Sequence, residues 1–241
     1  MRDFFVKIAV KLGLYEPIVN ILNRHIEKKE AKAVKARGLE VLQLVDDILS
    51  KRGVKPFFCF GLLLGAYRDK GFIPYDYDLD IGMLASERPD NILEIMKENG
   101  FELWKQSYLE DDKRITVEQF KYQDVPVDFY YFFDIDENTI ATIVPFRHEY
   151  KDWKEANRTD GFPSVMVPLK RTTFSRYDFL GKKFYLPDCA HEWLTDIYGE
   201  NYMTPVKNWS FEGVKTCRQS YPVRQYRNLE LVEQLKKKNN K

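Results

Sequence analysis

The stretch 57–83, FFCFGLLLGAYRDKGFIPYDYDLDIGM, leaves this chain few ways to fold. Phe57 to Phe60 have strand character, and Gly61 breaks the strand. Leu62 to Arg68 read as a short helix or tight turn packed on its leucines, and Gly71 and Pro74 punctuate the residues after it. Beyond Pro74 come three carboxylates at alternate positions, Asp76, Asp78 and Asp80. In an extended chain, residues two apart share a face. Asp78 and Asp80 are therefore expected together, with Leu79 and Ile81 turned the other way. Carboxylates crowded on one face repel strongly unless a cation neutralises them. Oxygen-only ligands of this kind suit a hard ion such as Mg²⁺ or Mn²⁺. The bland reading is an Asp-rich surface turn without metal. The glycine-broken strand, the turn and the apolar residues between the acids weigh against it.

A further carboxylate stands out later in the chain. In QDVPVDFYYFF, Asp128 sits inside an apolar and aromatic strand. A buried acid without a partner is costly, so it shifts its pKa, pairs or binds metal. The alternative is an exposed residue on an edge strand, which Pro126 would allow.

The rest of the chain reads as support. Residues 3–14 are expected to form a short helix with Phe4, Phe5, Ile8 and Leu12 on one side. Pro17 suits the first turn of a second helix, with Ile18, Ile21, Leu22 and Ile26 at helical spacing. The charged run 27–38 reads as its solvated continuation. Leu39, Leu42, Val45, Ile48 and Leu49 extend the apolar stripe until Gly53. After the central stretch the pattern predicts a helix over 89–99 closed by Gly100. Strands are expected at 101–108, 115–122, 125–133, 139–146, 165–169 and 173–186, the last turning at Gly181. A helix is expected over 189–198. The polar stretch 147–164, with His148 at its start, reads as a substrate-facing loop. Residues 209–221 read as irregular and 228–238 as a short basic helix. The fold expected is α/β (α+β): a mixed sheet flanked by helices, with helices before it and a small helical region after it. No linker-like composition divides the chain. It is expected to be one domain with supporting helices over 1–52, a core over 53–204 and a basic segment over 205–241.

Charge and cysteines narrow the function classes. The formal net charge is +1 over 241 residues. Residues 1–37 carry nine Lys/Arg against four acids, and 205–241 carry nine against three, which leaves the middle about ten charges negative. An acidic centre between basic ends suits a metal site and offers no case for a nucleic-acid partner. The ends could touch anionic lipid at a membrane surface or a phosphorylated polymer. Cys59, Cys189 and Cys217 lack metal-site spacing, and their odd number fits a reducing cytoplasm. No apolar run is long enough to span a membrane. The N-terminus is a poor signal peptide, because Lys7 and Lys11 interrupt it. No P-loop and no dinucleotide glycine fingerprint is present.

GLLLGAYRDKGFIPYDYDLDIGM resembles the signature of the LicD / fukutin-related family, G-T-L-L-G-A-x-R-x-x-G-F-I-P-W-D-x-D-x-D-I. The match runs ungapped through Gly61, Leu63, Leu64, Gly65, Ala66, Arg68, Gly71, Phe72, Ile73, Pro74, Asp76, Asp78, Asp80 and Ile81. It departs at Leu62, where Thr or Ser is usual, and at Tyr75, where Trp is usual. The family is similar to the polymerase-β-like nucleotidyltransferases. The resemblance implies transfer of a phospho-alcohol, such as phosphocholine or ribitol phosphate, from a CDP-linked donor to a hydroxyl of a cell-surface glycan or lipid-linked oligosaccharide. It also implies a third carboxylate from a neighbouring strand, for which Asp128 is the candidate.

With that resemblance, Asp78, Asp80 and Asp128 are expected to hold Mg²⁺ or Mn²⁺. Asp76 would hold a second ion or accept the acceptor's proton. Arg68 is the expected phosphate clamp, with Lys70 as a second candidate. The backbone at Gly61 and Gly65 is expected to approach the donor. Tyr75, Tyr77, Trp104 and Trp153 could enclose a cationic alcohol. Two other classes use the same residues differently. A nucleotidyltransferase would move a nucleoside monophosphate from an NTP and release pyrophosphate. A carbohydrate-binding protein would keep the fold without catalysis, against which the intact Asp set argues.

Overall fold

A computed structural model describes residues 15–145, 161–206, 218–219 and 223–227. The expected helices over 3–14 and 228–238, the body of the 147–164 loop with His148 and Trp153, and Cys217 lie outside the described residues.

The chain enters on one long helix, α1 (Tyr15–Ser50). The charged run 27–38 holds no Pro and one Gly, so nothing breaks the helix between its two apolar stripes. That run is not all solvated, because Ala33, Val34 and Gly38 are buried. Gly38 needs to be small, since a Cβ there would stand 2.8 Å from the Phe72 ring. The second half of α1 buries Val41, Leu42, Val45, Ile48 and Leu49. The first turns behave differently, and Ile18, Ile21, Leu22 and Ile26 are exposed. Among the described residues no helix is long and apolar enough to cross a membrane.

Among the described residues the sheet has eleven strands. They are β1 (Phe57–Phe58), β2 (Leu79–Leu84), β3 (Phe101–Leu109), β4 (Ile115–Tyr122), β5 (Val125–Asp134), β6 (Thr139–Pro145), β7 (Ser164–Lys170), β8 (Phe174–Phe179), β9 (Lys182–Pro187), β10 (Arg218–Gln219) and β11 (Val223–Arg227). Between them lie three short helices, α2 (Phe60–Leu64), α3 (Ile92–Glu98) and α4 (Ala190–Tyr198). β5 is the hub. It runs parallel to β2 and antiparallel to β4, and its last two residues pair with β6. One limb continues β2–β1–β9–β8, a second β4–β3–β11, and a third β6–β7–β10. The expected mixed α/β architecture is the one observed. β10 and β11 are additions that the irregular composition after 205 did not announce.

Asp128 therefore lies on a central strand and is 3% exposed, so the edge-strand alternative is excluded. The core on the β1 side is aromatic. Phe57 stacks on Phe174 at 3.9 Å, and Phe132 stacks on Trp193 of α4 at 5.5 Å. A Cβ at Gly82, opposite Phe57 in register, would come within 2.1 Å of that ring. α1 is tied to β8 by Arg176, whose two terminal nitrogens reach the Asp46 carboxylate at 2.9 and 3.2 Å.

Candidate active site

The site forms where β1 ends. Phe57 and Phe58 pair with Gly82 and Ile81, and the chain then turns sharply into α2. The turn falls on Phe60, a non-glycine residue at φ 42°. Such a conformation costs about 1–3 kcal/mol and persists only where its surroundings enforce it. Here the ring packs edge-on against Tyr130 at 4.7 Å. The turn delivers the Gly61 N–H to Asp80, donating to Oδ2 at 2.9 Å. A Cβ at Gly61 would sit 2.4 Å from Asp76 Oδ2 and 3.0 Å from Asp80 Oδ2, so any side chain there would push the carboxylates aside. It is thus the carboxylates that Gly61 approaches. At Gly65 a Cβ would meet the Gly71 carbonyl at 2.6 Å, so its lack of a side chain lets the loop close on itself.

Of the expected alternation, only Asp80 lies in a strand. Asp76 and Asp78 precede β2, which begins at Leu79. The loop nevertheless folds back, and ligand atoms of Asp76, Asp78 and Asp80 lie within 4.8 Å of one another. The tight group thus contains Asp76. Asp128 joins from the next strand, directly opposite Asp80 in the β2–β5 register. Directly opposed residues of paired strands point to one face, so both side chains stand on the same side of the sheet.

Burial and mutual repulsion dominate the electrostatics. Burial pushes the Asp80 carboxyl well up, and the charges of Asp76 and Asp128 push it further, against the Gly61 and Leu62 N–H groups. Asp78 is raised by burial and then by Asp80, Asp128 and Asp76. Asp76 is raised by burial to about 6, against hydrogen bonds with Asp78 and the Tyr77 backbone. Asp128 is likewise raised by burial to about 6, partly offset by the Lys105 charge and a hydrogen bond from Gln119. Burial, and then the same carboxylate charges, raise the Cys59 thiol and the Tyr130 and Tyr198 phenols.

Glu118 shows how this protein satisfies a buried acid by its own side chains. It is 0% exposed, yet Arg88 reaches it at 2.8 Å, Gln106 donates at 2.7 Å, and the Tyr131 hydroxyl donates as well. Among the described residues, Asp76, Asp78 and Asp80 form no ion pair with a Lys or Arg, while the Lys105 charge acts on Asp128. Four gathered carboxylates with hard oxygen donors, three of them without an ion-paired protein cation, fit a divalent ion such as Mg²⁺ or Mn²⁺.

The two basic candidates are placed otherwise than expected. Arg68 forks onto its neighbour Asp69, with Nε to Oδ1 at 2.8 Å and Nη2 to Oδ2 at 2.9 Å, and its Nη1 donates to the Tyr202 carbonyl at 3.4 Å. In this state the guanidinium braces the loop. Lys70 is exposed, takes the left-handed conformation at φ 54°, and lies 5.4 Å over the Tyr67 ring. Tyr75, Tyr77 and Trp104 are all exposed, and the Lys121 ammonium lies 5.0 Å from the Trp104 ring. Sequence reasoning missed Gln119, Tyr130 and Tyr198. Tyr198 had a signal, the Tyr-Gly pair that closes α4. Tyr130 had one too, since it stands two residues after Asp128 on β5 and shares its face; Gln119 had none, because cross-strand register alone brings it in.

A mixed sheet flanked by helices, with acidic residues gathered at a strand-to-helix turn, defines a nucleotidyltransferase-like α+β protein. More narrowly, the chain belongs to the LicD/FKTN/FKRP family, whose nucleotidyltransferase domain matches residues 53–179. It is similar to the ribitol-5-phosphate transferase FKTN of Homo sapiens, 25% identical over 184 residues, which is 76% of this chain and 37% of that protein. The Mus musculus protein of the same name is 24% identical over the same span. An uncharacterized protein of Caenorhabditis elegans is 34% identical over 96 residues, 39% of this chain and 25% of its own length. The chain thus spans little more than a third of the transferases it matches.

Proposed function

We propose that this chain transfers a phospho-alcohol from a CDP-linked donor to a hydroxyl of a cell-surface glycan or lipid-linked oligosaccharide, releasing CMP. The observation that carries this reading is the gathering of Asp76, Asp78 and Asp80 within 4.8 Å of one another, with Asp128 opposite Asp80 on the neighbouring strand. Similarity to ribitol-5-phosphate transferases supports the phospho-alcohol.

Mg²⁺ or Mn²⁺ bound at Asp78, Asp80 and Asp128 would supply positive charge to the donor's diphosphate. The residues themselves do the rest. The Gly61 N–H and the Asp80–Asp128 pairing fix two carboxylates before any ligand arrives. Asp76, gathered with Asp78 and Asp80, would hold a second ion or take the acceptor's proton. The acceptor oxygen bonds to the phosphorus that bears the alcohol. The bond from that phosphorus to the bridging oxygen breaks, and its electron pair leaves on CMP. Exposed Tyr75 and Tyr77 offer ring faces to a cationic alcohol such as choline. The free thiols of Cys59 and Cys189 suit work in the cytoplasm.

A donor screen tests the reading. The protein is incubated with Mg²⁺ and CDP-choline, CDP-ribitol, CDP-glycerol, CDP-ethanolamine, CTP or ATP, together with glycan acceptors. CMP release from one CDP-alcohol is expected. Pyrophosphate release from CTP or ATP, with no CMP from any CDP-alcohol, would move the assignment to nucleotidyl transfer.

A further inference from the structure

Four paired strands lay a single polar row across the sheet. In register, Asp80 of β2 faces Asp128 of β5, Asp128 faces Gln119 of β4, and Gln119 faces Lys105 of β3. Opposed residues share a face, and neighbouring strands lie about 4.8 Å apart. Gln119 is therefore the nearest residue of the row to Asp128 on the side away from Asp80. Its Nε2 donates to Asp128 Oδ2. Its Oε1 is buried and has no hydrogen-bond partner. A buried acceptor left unmade costs about 1–3 kcal/mol. Nothing in the packing of β4 requires an amide here, since an apolar side chain would incur no such cost.

We propose that Gln119 is a positioning residue of the candidate metal site. Its N–H holds one oxygen of Asp128, which leaves the other oxygen turned to the cation. Its orphaned Oε1 accepts a hydrogen from a water on that cation. The assignment of ends follows from chemistry, because a carboxylate at Asp128 can only accept from the amide nitrogen. Residues that orient metal ligands in this way typically change metal affinity 10–100-fold when removed. The inference rests on the metal reading of the carboxylates and adds to it a residue that no Asp-based pattern contains.

The test reads Mn²⁺ affinity by electron paramagnetic resonance, which needs neither donor nor acceptor. Gln119→Leu and Gln119→Met remove the amide at similar volume, and Gln119→Asn keeps an amide one methylene short as the milder change. Thermal melts accompany each titration. A Kd raised tenfold or more, with a melting temperature near that of the wild type, is expected for Leu and Met. Wild-type binding with unchanged affinity in the variants would overturn the role of Gln119 and leave the metal reading intact. A lowered melting temperature at unchanged affinity would make Gln119 a brace between strands, and would also overturn it. No binding by the wild type would overturn both readings.

Discussion

Asp80 and Asp128 stand directly opposite each other on parallel strands, 6% and 3% exposed, and no Arg or Lys of the described residues forms an ion pair with Asp80. Two acids so placed cannot both ionise without compensation. That relationship sets the behaviour of the site with and without a cation.

Replacing Asp78 or Asp80 by Asn keeps shape and removes a ligand charge. Turnover should fall by at least about 10²–10³, the loss typical of removing one electrostatic contact from a transition state. The metal-free melting temperature should hold or rise slightly, because repulsion is relieved. Differential scanning fluorimetry and CMP release, run on the same preparations, separate the two effects. Near-normal turnover with saturating donor would end the metal reading.

Stability should depend on pH through the same acids. Asp76 and Asp128 have folded-state values of about 6, against an ordinary 3.8. Between those values the folded chain keeps protons that the unfolded chain has already released. The stability held by the protonated acids is therefore present below about pH 4 and lost as pH rises through about 6. In EDTA, Asp128→Asn should melt like the wild type at pH 4 and a few degrees above it at pH 7. Saturating Mn²⁺ at pH 7 should close the gap by raising the wild type.

Two glycines separate site from core. A Cβ at Gly61 meets the ends of the Asp76 and Asp80 side chains, which can swing aside. Gly61→Ala should keep its fold and lose Mn²⁺ affinity. A Cβ at Gly82 meets the packed ring of Phe57, which cannot. Gly82→Ala should cost about 1–3 kcal/mol or more through overpacking. Paired melts and Mn²⁺ titrations read both, and identical profiles for the two variants would contradict the placement of Gly61.

Arg88→Met should be destabilising for a different reason. It leaves Glu118 buried without its cation, a change that typically costs about 3–5 kcal/mol. Denaturant unfolding measures the loss, and Mn²⁺ affinity should not move, since the pair is separate from the Asp group.

Arg68 and Asp69 form one unit, so Arg68→Ala and Asp69→Ala should slow CMP release by similar factors, with the double variant no worse than either. A defect in Arg68→Ala far beyond that of Asp69→Ala would show the guanidinium leaving Asp69 for the donor's phosphate.

Local order was legible in the residues themselves. Runs of apolar and aromatic residues marked β3, β4 and β5 nearly to their ends, and Gly53, Gly100, Gly181 and Gly199, all at positive φ, marked turns and helix ends. The Asp group and the isolated acid at 128 announced themselves because acids are costly among apolar neighbours. Tertiary structure decided what those segments meet. Asp76 and Asp78 join Asp80 through a folded loop and not through strand alternation, since β2 begins only at Leu79. Arg68 meets Asp69, and Gly65 lies against the Gly71 carbonyl, through the fold of the loop between α2 and β2. Gln119 reached the site through the pairing of β4 and β5, and Asp128 met Asp80 through the register of β5 on β2. A period-two pattern is local and fixes which face a residue takes. Its partner on that face depends on strand order and register, which are set by contacts between segments far apart in the chain.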